Sequence, residues 1–247
     1  METMKQIMYG VTDFARIRAE NGYFVDRTAL IRELEKTSYA MFLRPRRFGK
    51  SLLCSILQCY YDIDYAGRFE EFFGGLDIGR EPTAERGKYL FIDFNFTGVE
   101  KRIDRVQDSF NEYCSERLDV FVERQAGRLP EGTTAAVLAK RTCHEKFNTL
   151  TMRLKGSGLA LYITIDEYDN FTNTILAESR ESYEALCHGD GFFKQFFNEL
   201  KLATTGTDAP VTRLFVTGVT PVTMDDVTSG FNIAANVSLN PAFAALT

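Results

Sequence analysis

Lys50 and Ser51 follow Gly49 directly, in the run LRPRRFGKSLL at 43–53. An ammonium and a hydroxyl behind a glycine are the groups that phosphate chemistry uses. Gly49 lets the backbone come close, Lys50 reaches the β- and γ-phosphates of a nucleoside triphosphate, and Ser51 offers its hydroxyl to Mg²⁺. The pattern has this meaning only between a strand and a helix, where successive backbone N–H groups and a helix N-terminus face the anion. The predicted contact run is Arg44, Pro45, Arg46, Arg47, Phe48, Gly49, Lys50, Ser51 and Leu52. The general signature, G-x-x-x-x-G-K-[ST], has glycine where this chain has Arg44. By itself the run therefore also reads as a basic turn with Ser51 at a helix start.

A second group of reactive side chains sits in LYITIDEYDN at 161–170. An apolar run followed at once by two acids puts Asp166 at the C-terminal end of a buried strand, the edge of a parallel sheet where ligands bind. There Asp166 would hold Mg²⁺ directly or through water. Glu167 would orient and polarise the attacking water, with Lys50 completing the catalytic pair. An ordinary acidic turn is the rival reading, and it weakens once both halves occur in order, each on a strand end. RLFVTGVTPVTM at 213–224 supplies a third piece, in which Thr217 would sense the γ-phosphate from a neighbouring strand; a plain strand followed by a glycine turn is the rival reading. Arg46 and Arg47 could stabilise transition-state charge, bind phosphate in the ground state, or hold acids of their own domain.

The remaining chemistry-bearing residues point to structural roles. Asp93 ends a strand, from which it could approach the nucleotide, and reads first as a structural carboxylate. His144 and His188 have no partner at ligand spacing, so no protein-held metal cluster is expected. Cys54, Cys59, Cys114, Cys143 and Cys187 are dispersed without a C-x-x-C pair, which reads as reduced thiols. Asp225 and Asp226 are expected to cap a turn or helix. No G-x-S-x-G element is present.

These residues must be positioned by alternating strands and helices. Residues 1–22 read as a polar lead and 26–36 as a helix. SYAMFL at 38–43 is a short buried strand, and 50–61 has strong helical spacing. Residues 69–76 form a short aromatic element and 89–94 a second strand. Two long amphipathic segments are expected at 102–125 and 133–155. A strand follows at 159–165, then helices at 182–188 and 192–204, and a strand at 213–217. Strand–helix alternation predicts a mostly parallel sheet covered on both faces.

The bulk numbers allow such a domain. The 247 residues are 45% hydrophobic and 26% charged, enough for a large core. The 21 Phe, with no Trp, are read as core packing. A net charge of −5 argues against a surface given over to nucleic acid. No apolar run approaches the length of a membrane span, and the N-terminus lacks a signal-peptide core. A cytoplasmic protein is expected.

Together these segments resemble the AAA-ATPase-like family of bacterial P-loop proteins. The resemblance rests on YGVTDFARIRAENGYFVDRT (9–28), FLRPRRFGKSLL (42–53), the E-x-F-x-G-L element at 71–76, ITIDEYDN (163–170), FVTGVTPVTM (215–224) and SGFNIAANVSLNPAF (229–243). RPRRFGKS is that family's own form of the loop, so Arg44 departs from the general pattern and not from the family. The resemblance implies an α/β fold: a P-loop NTPase three-layer sandwich of the additional-strand, catalytic-glutamate type. The sensor strand would lie between the P-loop strand and the Asp166 strand. Residues 1–36 are expected to form a lead and helix packed on the core. Residues 37–247 would form the ATPase-like domain, with a helical insertion at about 101–155.

The function expected from residues and resemblance is Mg²⁺-dependent ATP binding with slow hydrolysis, coupled to conformation or assembly. ATP in preference to GTP rests on the resemblance. Two alternatives stay open: a nucleotide-dependent switch with little turnover, and the regulatory half of a protein acting on nucleic acid. Longer relatives often continue into a restriction-endonuclease-like domain. This polypeptide carries no motif of it, so a nuclease role is not expected here. A homo-oligomer would be one source of an arginine that the chain itself does not assign.

Overall fold

A computed structural model of the protein describes residues 5–188, 191–221 and 233–246. In chain order the elements are α1 (Phe14–Ala19), α2 (Leu30–Leu34), β1 (Tyr39–Leu43), α3 (Lys50–Tyr61), α4 (Phe69–Phe73), α5 (Asp77–Arg80) and β2 (Leu90–Asn95). There follow α6 (Val106–Arg124), α7 (Thr133–Leu138), α8 (Cys143–Leu154), β3 (Leu161–Asp166), α9 (Asn170–Glu178), α10 (Arg180–Cys187), α11 (Phe192–Ala203), β4 (Val211–Gly218) and β5 (Ala235–Asn236).

The strands form one sheet in the order β2-β3-β4-β1-β5, and every adjacent pair is parallel. Strand β4, which carries Thr217, lies between β1 and β3, as the additional-strand arrangement requires. Parallel strands need long crossovers, so helices cover both faces. Alternate strand residues point to opposite faces. Phe42, Phe91, Tyr162 and Phe215 pack with α1 to α4 on one side. Met41, Ile92, Ile163 and Val216 pack with α6, α8 and α9 to α11 on the other. The expected three-layer α/β sandwich is therefore the fold. Helices α6 and α8, within the expected insertion, share a core with β2, β3 and β4.

Several local expectations need correction. Residues 1–22 are not simply a polar lead. They contain α1, whose Phe14 is fully buried and whose N-cap Asp13 accepts from Arg16 N. Phe14 N also donates to Ser55 Oγ of α3 at 2.9 Å. Six residues are too few for periodicity to announce a helix, although Asp13 was a usable start signal. The helix expected at 26–36 shortens to α2, because Asp26 Oδ1 accepts from both Thr28 N (2.9 Å) and Thr28 Oγ1 (2.7 Å) and so folds a turn instead. The segment 133–155 is two helices. Thr142 and Glu145 form a reciprocal capping box that starts α8 anew. Helix α9, right behind the acidic pair, went unpredicted.

Asp225 and Asp226 lie outside the described residues, as do positions 222–224 and 229–232 of the resembling segments. Among the described residues, no helix is long and apolar enough to cross a membrane.

Candidate functional site

All strands run the same way, so their C-terminal ends meet at one edge of the sheet. On the α3 side of that edge, β2, β3 and β4 present Asn95, Asp166 and Thr217. The register pairs Asn95 with Asp166, and Phe42 of β1 with Thr217. Above them the chain leaves β1 at Leu43, crosses the basic loop and enters α3 at Lys50. Gly49 takes a left-handed conformation, φ +73°, which admits glycine at little cost. Arg47 does the same at φ +70°, as does Glu167 at φ +53°. A non-glycine residue held there stores of order 1–3 kcal/mol, and such outliers gather at functional sites.

Asp166 is the hub. It is 2% exposed. Ser51 Oγ donates to its Oδ2 at 2.6 Å, Asn95 Nδ2 donates to Oδ2 at 3.1 Å, and Thr217 Oγ1 donates to Oδ1 at 2.8 Å. Lys50 is 3% exposed. Its ammonium donates to Arg44 O at 3.1 Å and to Pro45 O at 3.3 Å, and faces Glu167 Oε1 at 3.4 Å. The structure thus brings Lys50, Ser51, Asp166, Glu167 and Thr217 into one cluster.

The rest of the basic run divides. Arg46 lines a shallow cavity of about 360 Å³ together with Glu167, Asp169 and Asn170. Phe48 and Gly49 line a separate cavity on the α1 side, as does Leu52. Arg44 turns toward the β5 edge. Its guanidinium donates to Leu43 O (3.0 Å) and Ser238 O (2.5 Å), and stacks over Phe42. In the structure its side chain braces the end of β1 against the segment just after β5, and its carbonyl, not its guanidinium, meets Lys50.

Beneath the cluster, Asp93 accepts from Thr164 Oγ1 at 2.6 Å. Burial raises its carboxyl above the usual range, with Asp166's charge adding to the effect. It lies inside β2 and not at the strand's end. Burial also pushes the Cys54 thiol well up, with Asp166 and Asp93 reinforcing it, which favours its protonated form.

Three site-shaping residues escaped the sequence reading. Asn95 is one. Two positions after Asp93 it shares that residue's face, and this alternation was the available signal. Asp169 is the second. It is fully buried and accepts from Thr220 N (2.8 Å), from Val219 N (3.1 and 3.2 Å to its two oxygens) and from Asn173 Nδ2 (2.9 Å). With Tyr168, whose hydroxyl donates to Thr220 O, it fastens the turn after β3 to the turn after β4. The third is Gly218. A Cβ there would stand 2.4 Å from Tyr168 ring carbons and 2.7 Å from Asp169 Oδ1. Gly218→Ala is therefore expected to lose about 1–3 kcal/mol of stability by overpacking, read as a lowered midpoint in denaturant. An unchanged midpoint would refute this clamp.

An aromatic cluster backs the acidic turn. Phe96 meets Phe110 at 5.2 Å, and Phe171, the residue after Asn170, meets Phe193 at 4.9 Å. Such pairs add about 0.5–1.5 kcal/mol each beyond their buried area. They anchor the start of α9 behind Glu167.

The donor set suits one hard divalent cation. Asp166 is a buried carboxylate whose hydrogen bonds, among the described residues, come from neutral donors, so its charge is open to a cation. Mg²⁺ takes one or two carboxylate or hydroxyl oxygens and draws the rest of its octahedron from phosphate and water. Ser51 and Asp166 would supply those two. Among the described residues no group of three or more His, Cys, Asp or Glu gathers for an all-protein cage.

A parallel sandwich with a glycine–lysine–serine loop on its first central strand defines a P-loop NTPase-like protein. The chain belongs to the AAA-ATPase-like family of predicted AAA-ATPases, whose model matches residues 8–228. It is also 25% identical, over 98% of its length, to a protein described as "Uncharacterized protein in vnfD 5'region" from Azotobacter chroococcum mcd 1. The chain spans 42% of that relative's length. No solved structure matches it significantly.

Proposed function

We propose that the chain binds Mg²⁺–ATP at this sheet edge and hydrolyses it slowly, passing the nucleotide state to conformation or assembly. The observation that carries the reading is the 2.6 Å hydrogen bond from Ser51 to Asp166. It joins the helix start that would face phosphate to the strand end that would face the metal. Mg²⁺ held there would neutralise charge on the β- and γ-phosphate oxygens. Lys50 trades its carbonyl partners for phosphate oxygens. Glu167 accepts a proton from a water whose oxygen attacks the γ-phosphorus as the bond to the bridging oxygen breaks, giving ADP and phosphate. Thr217, bonded to Asp166, would hold that carboxylate and report on the γ-phosphate. Phosphoryl transfer needs positioning and charge neutralisation more than covalent help, so this small set is sufficient.

A second reading, a switch with little turnover, draws on the Lys50–Glu167 contact at 3.4 Å. While that pair persists, Glu167 is turned to the lysine and not to a water. ATP titrated calorimetrically into the protein with Mg²⁺, and again with a chelator, tests the common core, with phosphate release followed on the same samples. Saturable, Mg²⁺-dependent binding is expected, with release below the ~1 s⁻¹ floor of ordinary turnover. No heat at millimolar nucleotide would sink both readings.

A further inference from the structure

We propose that Cys143 is a site of oxidation by peroxide-class oxidants, with Cys114 as the thiol that converts the oxidised sulfur into a disulfide joining α8 to α6. Oxidation here does not depend on whether the sheet edge binds ATP.

The fold pairs two cysteines that the chain keeps far apart. Cys143 opens α8, and Cys114 lies in the middle of α6. Both side chains sit in the core behind β2 and β3. Cys143 N donates to Asn111 Oδ1 at 2.7 Å. Asn111 stands three residues before Cys114, on the same face of α6, so this bond seats the first turn of α8 over the Cys114 side chain. The two sulfurs are hydrogen-bonded to each other, with Cys114 as the donor. The capping box of Thr142 and Glu145 fixes the start of α8, and Lys146 pairs with Asp119 of α6 just beyond. The helices are thus fastened to each other on both sides of the thiols. Disulfide formation is limited by geometry, and here the sulfurs already meet.

Access distinguishes the two. A cavity of about 350 Å³ opens between α6, α8 and α11, and Cys143 forms part of its wall, beside Asn111, Thr142 and Gln195. Polar side chains around the opening suit a small hydrogen-bonding molecule. Cys143 keeps 8% of its surface exposed, whereas Cys114 keeps none.

Reactivity follows the same division. The thiolate is the form that attacks. Contact with the Cys114 thiol, helped by the backbone N–H groups at the α8 start, holds the Cys143 thiol below its ordinary value in spite of its own burial. Burial drives Cys114 well above that value and Cys59 up to about 12. Cys143 is therefore the attacking thiol, and Cys114 stays protonated until its neighbour is oxidised.

The Cys143 thiolate attacks one peroxide oxygen. An S–O bond forms as the O–O bond breaks, the sulfur is oxidised to a sulfenic acid, and the departing hydroxide takes a proton from solvent to become water. The Cys114 sulfur then attacks the Cys143 sulfur. The S–S bond forms, the S–O bond breaks, and the leaving hydroxide takes up the Cys114 proton. Two thiols and one peroxide give one disulfide and two waters. The crosslink lies one residue from Tyr113, whose hydroxyl accepts from Asn95 N at 2.8 Å, so it fastens the helix that borders the sheet edge.

The test uses the full chain, reduced, freed of reductant and exposed to a small excess of hydrogen peroxide. Intact mass and peptide mapping without reduction give the readout. The expected product is a monomer lighter by two hydrogens, with the peptides carrying Cys114 and Cys143 linked. In Cys114→Ala, dimedone should trap a sulfenic acid on Cys143 about tenfold or more faster than on Cys54 or Cys59. In Cys143→Ser no linkage should form. Cys114 is fully buried, so if the alanine variant does not fold, mapping of the wild type decides alone. Retention of all five thiols would overturn the proposal, as would a linkage between two chains or one that uses Cys54, Cys59 or Cys187. A sulfenic acid that persists on Cys143 in the wild type would overturn the role given to Cys114.

Discussion

Glu167→Gln is expected to lower the phosphate-release rate by about 10²–10⁴, the range that a positioned general base contributes, while ATP affinity changes little. The amide keeps the shape and the hydrogen-bonding length of the side chain. It cannot take a proton from water. Glu167 lies one residue beyond the hub, in a left-handed conformation at φ +53°, with its carboxylate 3.4 Å from Lys50. The neighbouring turn is pinned by Asp169 and Tyr168, so the substitution has little backbone to disturb. Single-turnover phosphate release, with affinity measured on the same variant, gives the answer. Loss of turnover with retained binding assigns chemistry to Glu167. An unchanged rate would move the protein to the switch reading or move the base to another residue. In a switch, wild type and variant would release phosphate equally slowly.

Lys50→Ala is expected to weaken ATP binding by about two orders of magnitude or more. Lys50 is 3% exposed and its ammonium is surrounded by oxygens: two loop carbonyls and the Glu167 carboxylate. A triphosphate entering this loop would meet a buried, desolvated cation, the condition in which a charge contact is strongest. Truncating one member of a buried charge pair costs about 2–5 kcal/mol, and every 1.4 kcal/mol is about tenfold in affinity. The loss is therefore on the order of a hundredfold or more. Calorimetry checks it, with a urea midpoint as control, because the variant also strands Glu167 without its partner. A variant that binds ATP within about threefold of wild type would mean that the 44–51 loop is a basic turn and nothing more.

How much of this was legible in the chain depended on distance along it. Lys50–Tyr61 was readable as a helix, because Leu52, Leu53, Ile56, Leu57 and Tyr60 recur at helical spacing. The strand expected at 159–165 was readable, and β3 is Leu161–Asp166, because a parallel strand covered on both faces is buried at every position and so nearly continuously apolar. The short helix α1 and the turn at Asp26–Thr28 were not. Six residues carry too little periodicity, and an Asx-type turn competes locally with a helix. The break between α7 and α8 was written in Thr142 and Glu145, a start signal inside what reads as one amphipathic run.

The sequence by itself determined the chemistry within each element: a glycine, a lysine and a serine at a helix start, and two acids at a strand end. These are neighbours along the chain, so local backbone geometry alone sets their relation. Only the tertiary structure decided which elements meet. Asn95, Asp166 and Thr217 stand side by side because β2, β3 and β4 pair in one parallel register. That register is set by packing of both sheet faces across long crossovers, which no local pattern encodes. The same packing turned the Arg44 side chain to Ser238, joined Asp169 to the turn after β4, and set Tyr23 and Val25 across a cavity from Phe48. Residues far apart in the chain become one site only when the core that both depend on has formed.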